Sequence, residues 1–350
     1  MLVALAGATL AATQAQAPAP PAPPAFRTGT TLIEVSAIAT RDGEVVTDLR
    51  ADEVVVRDNG SPQELVAFEF VDLTMRADRV EQRRDFVLVL DDLGIDPRRT
   101  MAARTIALAL IDKLGAHDRL AIVDTGPFEL VQQLSTDRDA ARRLVGKFRG
   151  QGGMGSPSKT CHDTIVNLRV ISNAARVMGR GPLERRTILV VSEGQQVYIG
   201  QWFGSRGDPC LEARTAYDDV VAATALTNTA IYAIDPRGLT ASAPDISAST
   251  DRDAVAAVSG AASAVTDAIE GRYHGSLGLM ATSTGGTLRT DRNDLTGGID
   301  EMIRDSRQYY RLAYVQPDVP ADELTRPRRI TVSATRSGVD MRARQRYMPR

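Results

Sequence analysis

The chain has 350 residues, enough for two domains, and its apolar (43%) and charged (25%) fractions are those of an ordinary globular protein. A formal net charge of −2 argues against a phosphate-tracking surface, because nucleic-acid binders carry a clear basic excess. Past the extreme N-terminus, no segment is long and apolar enough for a membrane helix.

Residues 1–12 are apolar, and Thr13-Gln14-Ala15-Gln16-Ala17 places small residues at cleavage-type spacing, so 1–17 reads as a secretory signal. It lacks the usual basic start, which leaves an anchor or an Ala/Pro tail as alternatives. Any membrane contact is expected through this segment alone. Residues 18–25 read as a stiff Pro/Ala linker. Export implies a periplasmic or secreted protein. There Cys161 and Cys210 are expected to form a disulfide, with two separate buried thiols as the alternative.

Residues 26–74 read as β-rich. Strands are expected over 31–40, 53–57 and 64–71, with a turn at Asp58-Asn59-Gly60-Ser61-Pro62. This stretch is too short to bury a core unaided. At Phe86 the pattern changes. Phe86-Val87-Leu88-Val89-Leu90 is a continuous apolar run, as expected of a strand covered on both faces, and it ends in Asp91-Asp92. A helix over 97–114, buried strands at 120–124 and 130–134, and a helix over 137–148 capped by Asp137 follow. Beyond a Gly/Ser loop at 150–158 the pattern predicts a helix over 163–178, a strand over 187–191 and a loop over 195–209. A helix over 214–227 and a strand over 230–234 come next. Residues 240–253 read as an insertion and 254–269 as a small-residue helix. The segment 277–284, a short strand near Leu288 and a helix over 294–307 complete the alternation, and strands are expected at 309–315, 329–334 and 340–347.

This alternation predicts a doubly wound, mostly parallel α/β domain over 85–308. A small β-sandwich-like domain is expected from 26–74 packed with 309–350.

Phe86-Val-Leu-Val-Leu-Asp-Asp, Ile231-Tyr-Ala-Ile-Asp-Pro-Arg-Gly and Thr284-Gly-Gly-Thr-Leu resemble a von Willebrand factor A-type domain. More narrowly, the chain is similar to A-related proteins of acidobacterial type. In those, a lead like Val54-Val55-Val56-Arg57-Asp58-Asn59-Gly60 precedes the domain and a tail like Tyr309-Tyr310-Arg311-Leu312-Ala313-Tyr314 follows it. The resemblance implies a protein-binding module, not an enzyme, with a metal-ion-dependent adhesion site at the end of the first strand. Asp91 matches that motif's first aspartate, Glu193 stands where its late aspartate belongs, and Thr160 matches its threonine. Leu93 and Ile95 replace two serines and cannot ligate a metal. The site is therefore expected to be degenerate, with Asp91, Asp92 and Glu193 as the remaining carboxylates for Mg²⁺ and no other cofactor. The simpler reading is that Asp92 or Asp96 caps the following helix.

The protein partner, in the envelope or outside the cell, is then expected on a rim formed by Asp96, Thr160, Trp202 and Phe203. Two alternatives stay open: a metal-dependent adhesin with rearranged carboxylates, and a serine hydrolase using Ser192 and His162. The stretch 153–160 nearly spells a phosphate loop, but it lacks the second glycine and follows a helix, so nucleotide binding is not expected.

Overall fold

The computed structural model describes residues 31–74, 83–126, 131–153, 157–179, 185–194, 210–238, 276–290, 294–324 and 326–349. The expected signal (1–17), linker (18–25), insertion (240–253) and small-residue helix (254–269) lie outside the described residues. So does the loop bearing Trp202 and Phe203.

The N-terminal stretch folds into five strands: β1 (Leu32–Arg41), β2 (Glu44–Val45), β3 (Val54–Asp58), β4 (Ser61–Gln63) and β5 (Leu65–Asp72). Local turns dictate two of the pairings. Asp42-Gly43 and Asn59-Gly60 adopt positive φ (52° and 86°; 46° and 87°), the backbone of two-residue hairpins that fold β2 onto β1 and β4 onto β3. The central segment contributes β6 (Asp85–Leu90), α1 (Thr100–Lys113), β7 (Arg119–Asp124), β8 (Val131–Ser135), α2 (Arg138–Lys147), α3 (Pro157–Val177) and β9 (Arg186–Val191). Then come α4 (Leu211–Thr227), β10 (Thr229–Ile234), helical residues 276–283 (α5), β11 (Leu288–Arg289) and α6 (Gly297–Asp305). The chain closes with β12 (Gln308–Val315), β13 (Arg328–Ala334), β14 (Asp340–Ala343) and β15 (Arg346–Tyr347).

Three sheets result, with orders β14-β1-β12-β5 (β2 beside β1), β11-β10-β9-β6-β7-β8 and β15-β13-β3-β4. One is curled into a half-barrel. The expected fold class is corrected here. The chain is mixed α/β, and its strand pairings are mostly antiparallel: eight of the twelve among the described residues. A doubly wound parallel sheet with a β appendage does not describe it. The β/α alternation after Phe86 dominated the expectation, whereas the two chain ends supply nine of the fifteen strands among the described residues. Hairpins need no crossover helix, so those strands leave no alternating signature in the sequence. β8 departs too: it runs antiparallel at a sheet edge, with Val131 55% exposed, where a buried strand was expected.

Two-residue periodicity explains the cores around β6. Phe86, Leu88 and Leu90 point to one face and meet Ile106 and Leu110 of α1, Val145 of α2 and Met302 of α6. Val87 and Val89 point to the other and meet Leu168 and Ile171 of α3 and Val220 of α4. Each such side chain, fully buried, contributes about 1.5–3 kcal/mol. A third core joins the two antiparallel sheets: Val35, Leu312 and Tyr314 pack with Val56, Ile330 and Tyr347. The described residues from Thr31 onward form one compact unit. Arg342 of β14 is ion-paired with the fully buried Asp305 of α6, and the Tyr232 hydroxyl donates to the same carboxylate at 2.7 Å.

Candidate functional site

Parallel pairing brings three strand ends together. The Asp91 N–H donates to Val191 O at 3.0 Å, the Ser192 N–H to Ile234 O at 3.2 Å and the Asp235 N–H to Arg289 O at 2.9 Å. Polar residues that close β6, β9 and β10 therefore share one rim.

Asp91 and Asp92 are each 2% exposed. Asp91 Oδ2 accepts from the Ser192 hydroxyl at 2.6 Å, and Oδ1 from the Thr125 hydroxyl at 2.9 Å and the Gly94 N–H at 3.0 Å. The Asn167 side chain also acts on this carboxylate and lowers its pKa. Asp92 Oδ1 accepts from the Thr125 N–H (3.0 Å) and the Gly126 N–H (2.7 Å), and Oδ2 from Gln151 Nε2 (2.8 Å). Glycine is required at two of these positions: a Cβ on Gly94 would overlap the Asp91 carboxylate, and one on Gly126 that of Asp92.

None of the donors holding Asp91 is charged. Burial pushes its pKa up, against the hydrogen bonds from Ser192, Thr125 and Asn167 that pull it down. The Thr125 hydroxyl lies 2.9 Å from Asp91 Oδ1 and 3.0 Å from Asp92 Oδ1. It has one hydrogen for two carboxylate oxygens. A proton on Asp91 resolves the conflict, because Thr125 then accepts from Asp91 and donates to Asp92.

The other expected site residues are dispersed around this pair. Glu193 turns aside: its Oε1 accepts the Asp96 N–H at 2.8 Å, and burial raises its pKa. Asp96 caps the turn at Pro97–Arg99, accepting the Arg98 N–H at 2.8 Å, and its pairing with the Arg98 guanidinium pushes its pKa down to about 2. Arg237 grips Asp235 at 2.6 Å and donates to Glu193 O at 2.9 Å, which clamps β9 to β10. Thr160 is half-buried in the first turn of α3, where its carbonyl accepts from Thr164; among the described residues no hydrogen bond carries it to Asp91.

This donor set does not fit Mg²⁺. Both Asp91 oxygens are taken by hydroxyls and amides, Ile95 is fully buried against the α1 core, and Glu193 is committed to Asp96. Among the described residues, no three His, Cys, Asp or Glu side chains are placed to hold a metal ion. The Ser192–His162 arrangement is not assembled either. Ser192 is fully buried with its hydroxyl on Asp91, His162 is exposed on α3, and among the described residues no hydrogen bond joins them. Cys161 and Cys210 form a disulfide that ties the second turn of α3 to the start of α4.

Sequence reasoning missed Thr125, Asn167 and Gln151. One signal was available for Asn167, a polar residue on the buried stripe of α3 beside Leu168 and Ile171. No family model matches the chain, and no curated protein matches it.

Proposed function

We propose that the chain is an exported protein-binding module whose partner is held by the loops around the Asp91–Asp92 rim, without a cation. One observation carries this reading. The Ser192 hydroxyl, the rim's strongest candidate nucleophile, and Asp91, the first adhesion-motif carboxylate, are hydrogen-bonded to each other at 2.6 Å and buried. Each occupies the other's chemistry, which leaves the rim as a contact surface. The resemblance of Phe86–Asp92 and Thr284–Leu288 to A-type domains supports the same class. The bonded cysteine pair supports an oxidising compartment.

The test is photo-crosslinking in the native envelope fraction, with and without chelator, comparing the wild type with Arg98→Glu. The Arg98 side chain is 87% exposed on the rim. The expected result is a discrete crosslinked partner that persists in chelator and is lost in the variant. Loss on chelation, together with saturable heat on Mg²⁺ titration, would favour a metal-dependent adhesin. Capture unchanged by Arg98→Glu would place the contact elsewhere.

A further inference from the structure

Away from the rim, α3 and strands β7 and β8 enclose an open groove of about 850 Å³. Its floor is Ala121, Val123 and Leu134, and its helical wall is Val166, Val170 and Val177. Among the described residues no helix covers it, and the topology explains why. β8 joins β7 through a short antiparallel connection, so no crossover helix is delivered to this face, and α2 packs on the opposite one. Val131 and Val177 stand at the groove 55% and 69% exposed and extend its apolar lining towards solvent, where an apolar ligand could cover them.

The polar groups define that occupant. Gln132, Gln133 and Asn173 contribute neutral amides, and among the described residues no aspartate or glutamate lines the groove and Arg169 is its one charged residue. Arg169 is exposed, and among the described residues its guanidinium has no hydrogen-bond or ion-pair partner. An apolar trough of small-molecule size with a single cation at its wall suits an apolar chain that ends in one negative charge. A second copy of the chain fits poorly, because two concave troughs cannot fill one another and a two-fold axis would bring two arginines together.

We infer that this groove is a binding site for a long-chain carboxylic acid, with the acyl chain along β7, β8 and α3 and the carboxylate on Arg169. The full chain is titrated with dodecanoate, dodecylamine and dodecanol below their micellar concentrations, and displacement of a fluorescent acyl carboxylate is read. Dodecanoate is expected to bind saturably at one site, at least tenfold tighter than the amine or the alcohol. Arg169→Glu, a surface change, is expected to reverse the preference towards dodecylamine. Arg169→Gln is expected to erase the difference between the charged ligands. Val177→Lys is expected to weaken all three, since it puts a charge at the apolar mouth. Absence of saturable binding overturns the inference. So does dodecanoate binding that is indifferent to both Arg169 variants, or a concentration-dependent dimer that dodecanoate fails to dissociate.

Discussion

Asp58 in the antiparallel region and Asp91 at the rim are both buried carboxylates, yet their surroundings differ in charge. Asp58 is fully buried and paired with Arg328 Nε at 2.7 Å, and it accepts the hydroxyls of Tyr314 at 3.0 Å and Tyr347 at 2.6 Å. Four strands, β3, β12, β13 and β15, thus meet on one compensated charge. Burial raises the pKa of both tyrosines, and the Asp58 charge adds to that, so they remain donors across the physiological range. Asp91 has as many hydrogen bonds but no cation. A paired carboxylate fastens strands and is hard to remove. An unpaired one is held by neutral dipoles, favours its protonated form and costs little to replace with a neutral group.

The largest effect should come from the compensated site. Asp58→Ala leaves two tyrosine hydroxyls buried without their acceptor and the half-buried Arg328 with only Glu323, 3.7 Å away, as a counter-charge; removing one member of a buried pair costs about 3–5 kcal/mol. Urea unfolding should show a loss of that size. A loss under 1 kcal/mol would mean that Asp58 does not fasten the strands.

A covalent tie braces the rim. Cys161 lies on the same helix as Asn167, which acts on the Asp91 carboxylate, and the disulfide fixes that helix to α4. The bond spans a sequence separation of 49, so its removal in a Cys161→Ser/Cys210→Ser variant should cost roughly 4 kcal/mol in the chain-entropy model. Reductant should lower the melting temperature of the wild type and leave that variant unchanged. Next in size is Ser192→Ala, which strips Asp91 Oδ2 of its donor and leaves the Gly194 N–H, 3.0 Å from Ser192 Oγ, without an acceptor. An orphaned buried group costs about 1–3 kcal/mol, read again by urea unfolding.

The two carboxylates also differ in how far the sequence reveals them. Phe86–Leu90 can be read as a buried strand because five apolar residues in a row require cover on both faces, and Asp91 follows directly. The Asp137 cap was legible for an equally local reason: its side chain accepts the Ala140 N–H three residues on. Asp58 instead looked like the start of a turn. Its partner Arg328 is 270 residues away, and two of the strands around it have two and three residues, too few for periodicity to register. The same short strands hid the predominance of antiparallel pairing. At the rim, the groups around Asp91 come from the ends of β7 and β9 and from α3, and no local pattern links them to Asp91.

The smallest expected effect is the sharpest test of the comparison. The pKa of Asp91 is raised in the native state, so between its ordinary value and its raised one the folded protein binds more protons than the unfolded chain. The stability that Asp91 contributes is therefore fully present below its ordinary pKa and is lost as pH rises through the native one. Asp91→Asn supplies a permanently neutral group of the same shape, whose oxygen and amide can still engage the Ser192 and Thr125 hydroxyls. It should change stability by less than about 1 kcal/mol at acid pH and flatten the decline that the wild type shows on going towards neutrality. At neutral pH the variant should be as stable as the wild type, or more so. Urea unfolding of both proteins from pH 3 to 8 reads this directly. If Asp91→Asn costs several kcal/mol at neutral pH and keeps the slope, Asp91 is a compensated charge like Asp58, and a cation must reach the rim after all.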